Sequence, residues 1–170
     1  MHQVRLPWHP NMKNLGEMCI RPAQAGDEDG ILQCLAAAFE PYRADYTLEA
    51  YADTVLDKPP LAVRMQHMHV LVASSAGKIM GTVAGSMAER EGHLRGMAVL
   101  PELRGSGLAA ALLTEIERWL KNRGCKRITL DTTLPLNAAI KFYENNGYKR
   151  SGRLEDFFDM PLVEYVKQFD

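Results

Sequence analysis

The chain has 170 residues, 46% hydrophobic and 24% charged, with a net charge of −1, the profile of one soluble domain large enough for its own core. That charge gives no support for a nucleic-acid surface, and no apolar run reaches the roughly 20 residues of a membrane span. Cys19, Cys34 and Cys125 stand in no CxxC spacing, so reduced, buried thiols in a cytoplasmic protein are expected.

Residues 1–17 carry prolines, histidines and a tryptophan without an apolar signal core. They read as an irregular extension ahead of a single domain over 18–170. Cys19 to Arg21 ends a short strand. Asp27 is placed to cap a helix with the stripe Ile31, Leu32, Leu35 and Phe39, stopped by Pro41. Thr47 is placed to cap a second helix, which Lys58-Pro59-Pro60 ends. Met68, Val70 and Val72 alternate as a strand, and residues 79–87 follow as its hairpin partner. Residues 93–99 form a third strand, ended by Pro101. A helix then carries Leu108, Leu112, Ile116 and Leu120 on one face, with Gly124 beyond its end. Ile128 and Leu130 mark a strand, 135–146 a helix, and 148–153 and 157–166 closing strands. The order is β-α-α-β-β-β-α-β-α-β-β, an α/β (α+β) fold with a central mixed sheet and helices on both faces. Strand 93–99, its helix and strand 127–132 make one parallel, right-handed unit.

The most specific stretch is Arg104-Gly105-Ser106-Gly107-Leu108-Ala109, between a strand and a helix start. The first turn of a helix leaves its N–H groups without internal acceptors, and the helix dipole adds partial positive charge there. Two glycines keep the turn bare, so a phosphate can approach the backbone. The P-loop Gly-Lys-Ser/Thr is absent. A dinucleotide fingerprint would lack its last glycine, and Asp131 is a poor acidic partner for it.

Val99-x-Pro101-x-x-Arg104-Gly-Ser-Gly107-Leu-Ala109 resembles the acyl-CoA motif of the GNAT superfamily of N-acetyltransferases. Asn137 to Tyr148, with Phe142-Tyr143 and Gly147-Tyr148, is similar to the family's later asparagine, tyrosine and glycine-aromatic pattern. The resemblance covers about residues 18–167. It implies acetyl-CoA as the acyl donor, no metal, a small-molecule or peptide amine as acceptor, and no nucleic-acid or membrane partner. It is compatible with a homodimer. It implies a V-shaped gap between strands 93–99 and 127–132, where Met97, Ala98 and Val99 would pair with the amide-rich pantetheine arm. The pyrophosphate would sit on the amides of Arg104 through Ala109, and an amide of Met97 or Val99 would hold the oxyanion. Tyr143 falls at the family's catalytic tyrosine, a general acid, with Phe142 facing the core. Asn137 would contact the coenzyme or cap its helix. The family's usual glutamate position is occupied by His93. The base is therefore open between His93, Glu91, Glu89 and a chain of waters. An acyl-CoA sensor without chemistry is the alternative function.

The acceptor is expected near Phe39, Tyr42, Arg43 and Tyr46, with Arg43 suited to a carboxylate. His67 and His69 would share a strand face, although two histidines without a third ligand suggest a surface more than a metal site.

Overall fold

The structure, a computed structural model, describes residues 4–5 and 17–169. Strands β1 (Val4–Arg5) and β2 (Cys19–Pro22) lead into helices α1 (Glu28–Phe39), α2 (Leu48–Val55) and α3 (Lys58–His67). Strands β3 (His69–Ser75), β4 (Lys78–Ala88) and β5 (Glu91–Val99) follow, then α4 (Leu108–Lys121), β6 (Arg127–Thr133), α5 (Asn137–Asn145), β7 (Lys149–Phe157) and β8 (Met160–Gln168). The sheet order is β1-β2-β3-β4-β5-β6-β8-β7. Every neighbouring pair is antiparallel except β5–β6, which α4 joins in parallel.

Two elements depart from the sequence reading. Val4–Arg5 pair with Ile20 and Cys19, a short strand inside the stretch read as irregular. Lys58-Pro59-Pro60 does not terminate a helix but begins α3. Proline suits a first helical turn, where its missing N–H has no partner to lose and its fixed φ is already helical. The expected pair of N-terminal helices is therefore a trio. Thr47 caps α2, accepting from the Ala50 N–H at 3.3 Å. Asp27 precedes α1 but does not cap it. Its carboxylate is taken by Arg21 at 2.6 and 2.9 Å and by the Gln24 N–H at 2.9 Å.

The predicted stripe of α4 is buried: Leu108, Leu112, Ile116 and Leu120. Three of these residues nest over glycines of the sheet. A Cβ at Gly81 would lie 2.9 Å from Leu112, one at Gly85 2.9 Å from Ile116, and one at Gly92 3.0 Å from Leu120. The helix thus lies closer to β4 and β5 than ordinary side chains permit, which fixes where its N-terminus points. Among the described residues, no helix is long and apolar enough to cross a membrane.

Candidate active site

The parallel strands β5 and β6 pair only from Glu91–Arg127 to Leu94–Leu130, although β5 runs on to Val99 and β6 to Thr133. The cause lies on the other edge of β5. Between Ala84–Arg95 and Thr82–Ala98 the register with β4 shifts, so Gly96 and Met97 stand opposite Val83 alone. Such a two-against-one bulge bends and twists its strand. Gly96 takes φ +62°, a conformation natural to glycine. The bulge turns β5 away from β6 and opens a wedge in the sheet. Beyond it, the Leu100 N–H donates to Met80 O at 3.0 Å. Alternation along the strand then turns the main-chain groups of Val99 and Met97 toward the wedge.

The wedge opens into a cavity of about 690 Å³ that also takes in Gly105, Gly107, Ala109 and Ala110 at the start of α4. The amide accounting is selective. Arg104 N–H donates to Pro101 O, Ser106 N–H to Leu103 O, and Leu108 N–H to Ser106 Oγ. The N–H groups of Gly105, Gly107, Ala109 and Ala110 have no acceptor among the described residues. Only these alternate donors remain of the run from 104 to 109, with Ala110 added. Ser106 is buried, holds the turn together and does not line the cavity. A Cβ built at Gly105 or Gly107 would meet no protein atom within 4 Å. The Arg104 guanidinium donates to Ala38 O at 2.9 Å at the end of α1, so it ties the turn to α1 as well as bordering the cavity.

Tyr143 reaches the same cavity from α5. Its ring is 93% buried, edge-on to Phe142 and Tyr148 at 5.3 and 5.7 Å, and its hydroxyl has no hydrogen bond among the described residues. Burial pushes its pKa well above the ordinary tyrosine value, so the group is a phenol throughout the working range. Phe142 was expected in the core in its place. It is the less buried of the two and lines the cavity as well.

His93 sits at the apex of the wedge, one residue before pairing stops. Thr129 Oγ1 lies 2.9 Å from His93 Nδ1 and 3.3 Å from Gly92 O, and its one proton can go to either. Nδ1 is thus engaged by Thr129, and Nε2 is the ring nitrogen on the Asp131 side. Asp131 Oδ2 lies 3.7 Å from Nε2. Burial lowers the His93 pKa from its ordinary value, opposed by Asp131, and burial raises that of Asp131. His93 is thus neutral at neutral pH, with a carboxylate beside its Nε2.

Several expected site residues lie elsewhere. Glu91 is on the closed side of the wedge, bonded to Arg127, and does not line the cavity. Asn137 is exposed, outside the cavity, and does not cap α5, whose N-cap is Leu136. Arg43 turns to Glu40 at 3.8 Å and lies over the Tyr51 ring, outside the cavity. Phe39, Tyr42 and Tyr46 do line it, and Tyr46 bonds to Thr133 Oγ1 at 2.6 Å. His67 ends α3 and His69 begins β3, stacked on Trp119 at 4.3 Å, so they share no strand face. The sequence reading missed Thr129, Arg64, Arg95 and Gly96. It also missed Asp131 as the neighbour of His93, a signal present only in the β5–β6 register.

The sequence profile of the Acetyltransferase (GNAT) family matches residues 31–148, more than two thirds of the chain. The chain belongs to the GNAT family. Its members are acyltransferases that use acetyl-CoA. Solved structures agree with this fold. A PaiA N-acetyltransferase from Thermoplasma acidophilum, in complex with coenzyme A, superposes with a TM-score of 0.74 at 18% identity, covering 89% of this chain and 99% of that one. An acetyltransferase from Streptococcus agalactiae gives 0.74 at 20% identity, over 89% and 98%. The ribosomal-protein-S18-alanine N-acetyltransferase of Escherichia coli gives 0.65 at 16% identity, over 89% and 93%. In this GNAT chain the free amides at the start of α4 and the splayed edge of β5 suit a diphosphate followed by an amide-bearing arm.

Proposed function

We propose that this protein transfers an acetyl group from acetyl-CoA to the primary amine of a small molecule or peptide, by direct attack with both substrates bound. One observation carries the reading. The four unpaired amides at Gly105, Gly107, Ala109 and Ala110, the open edge of β5 and the unpartnered Tyr143 hydroxyl face a single cavity. The amides receive the diphosphate. The edge at Met97 and Val99 receives the pantetheine arm and directs the thioester into the wedge.

An alkylammonium with a pKa of about 10.4 is mostly unreactive at neutral pH, so the acceptor must shed a proton. His93 is the receiver, directly or through one water. Moving a proton to an imidazole at or below about 6.5 costs roughly 5 kcal/mol, well inside the ~16 kcal/mol barrier of a 10 s⁻¹ enzyme. Asp131 offsets part of that cost by facing the imidazolium. The amine lone pair forms the C–N bond, and charge moves onto the thioester oxygen, where an N–H of Met97 or Val99 donates to it. As the C–S bond breaks, the sulfur takes the electron pair, Tyr143 donates to it, and the second proton that the nitrogen sheds is taken up by the departing thiolate through water, leaving a neutral amide and free coenzyme A thiol. Full transfer from a phenol above 10 to a thiol near 8.5 is uphill, so Tyr143 acts mainly by hydrogen bonding to the leaving sulfur.

Release of free coenzyme A with a panel of primary amines tests the proposal. At least one amine must give amine-dependent thiol and a stoichiometric acetamide. Tight acetyl-CoA binding without transfer to any amine would favour the sensor reading instead.

A further inference from the structure

At the acceptor end of the cavity, α2, α3 and β5 bring together two guanidinium groups and one carboxylate: Arg64, Arg95 and Asp53. Arg95 takes the carboxylate, at 3.3 Å from Asp53. The Arg64 side chain donates no hydrogen bond and has no ion-pair partner among the described residues. It lies over the bulge, where its Nη1 would be 2.5 Å from a Cβ at Gly96. A side chain there would displace the flexible end of Arg64, and the φ of +62° also favours glycine. Burial lowers the Arg64 pKa to about 10; Arg95 acts in the same direction and the Asp53 carboxylate opposes it. A guanidinium with five unused donors, partly stripped of water and repelled by a second one, has only the Asp53 carboxylate nearby, and that carboxylate is bonded to Arg95.

Resting on the acetyl-transfer reading, we propose that Arg64 binds a carboxylate of the acceptor, so that the substrate class is small amines bearing a carboxylate a few bonds from the nitrogen, as in amino acids. Position and chemistry agree. Gly96, beneath the guanidinium, adjoins Met97, whose main chain faces the wedge. A carboxylate on Arg64 sets a nearby amine beside the thioester carbonyl. The planar fork of arginine matches a carboxylate through two parallel hydrogen bonds. Asp53 keeps Arg95 occupied, which confines the anion to Arg64.

The experiment measures kcat/KM for amino acids against their own carboxamides, with acetyl-CoA, in the native chain and in Arg64→Gln and Arg64→Lys. Carboxamides have the more easily deprotonated amine, so the informative quantity is the change in the acid-to-amide ratio between proteins. Arg64→Gln is expected to lower the ratio by about ten- to a hundredfold, the value of a charge-assisted pair. Arg64→Lys restores part of it. An acetyl-CoA thermal shift equal to the native one shows that each variant is folded. An unchanged ratio in folded Arg64→Gln, with transfer continuing, overturns this inference and leaves acetyl transfer standing. No transfer to either series by a native chain that acetylates another amine overturns this inference alone, and no transfer to any amine of the wider panel overturns both.

Discussion

Replacing Tyr143 with Phe removes one oxygen from the cavity and tests the chemistry with little structural cost. The hydroxyl makes no hydrogen bond to the described protein, so its loss orphans no donor or acceptor. The ring remains packed between Phe142 and Tyr148. Stability should therefore change by less than about 0.5 kcal/mol. What is lost is a hydrogen bond to sulfur that becomes charge-assisted as thiolate develops. Such bonds are worth about 1.5–3 kcal/mol, so kcat should fall by about 10- to 150-fold. The KM for acetyl-CoA should move less than about threefold, because the bond strengthens only in the transition state. Steady-state thiol release with saturating acceptor gives both values, and a urea melt gives the stability. Native kcat in a folded Tyr143→Phe enzyme would refute the role. So would a loss confined to acetyl-CoA binding.

Three further outcomes follow from other parts of the molecule. Because burial holds His93 below its ordinary value, it is protonated only in acid, and kcat/KM should fall with a midpoint below about 6.5. His93→Gln should remove that limb and cost about 10²-fold, read from pH profiles at fixed acceptor; a native midpoint above 6.5 would contradict the assignment. Gly107→Ala places a Cβ at φ +86°, straining the turn by about 1 kcal/mol without a clash, and calorimetry should show coenzyme A affinity weakened several-fold. Glu117 is buried and accepts from the Tyr148 hydroxyl at 2.9 Å and from Lys167 Nζ at 2.9 and 3.0 Å. Glu117→Leu should cost about 3 kcal/mol in urea unfolding, because an ammonium and a phenol lose their shared acceptor; a loss below about 1 kcal/mol would contradict the account.

The parts of this protein legible in its sequence are those written within one turn of chain. Gly105 and Gly107 announce a bare helix N-terminus, and the spacing of Leu112, Ile116 and Leu120 announces the face that buries. Pro59 and Pro60 were ambiguous, since proline both follows helices and starts them, and only packing chooses. His93 and Glu91 are two residues apart and face the same side of a strand. Which one reaches the wedge depends on where β5 parts from β6, a matter of tertiary register. Asp131 meets His93 across 38 residues of sequence, through parallel pairing that no local pattern encodes. Arg64 is one arginine among many in a chain of 20 Lys and Arg. What distinguishes it is the bulge at Gly96, which appears only when β4 and β5 are laid side by side.

The most direct measurement is the structure of the complex with acetyl-CoA. The account predicts diphosphate oxygens within hydrogen-bond distance of the amides of Gly105, Gly107, Ala109 and Ala110, and the thioester sulfur beside the Tyr143 hydroxyl. A diphosphate bound away from those amides, or a thioester outside the wedge between β5 and β6, would contradict it.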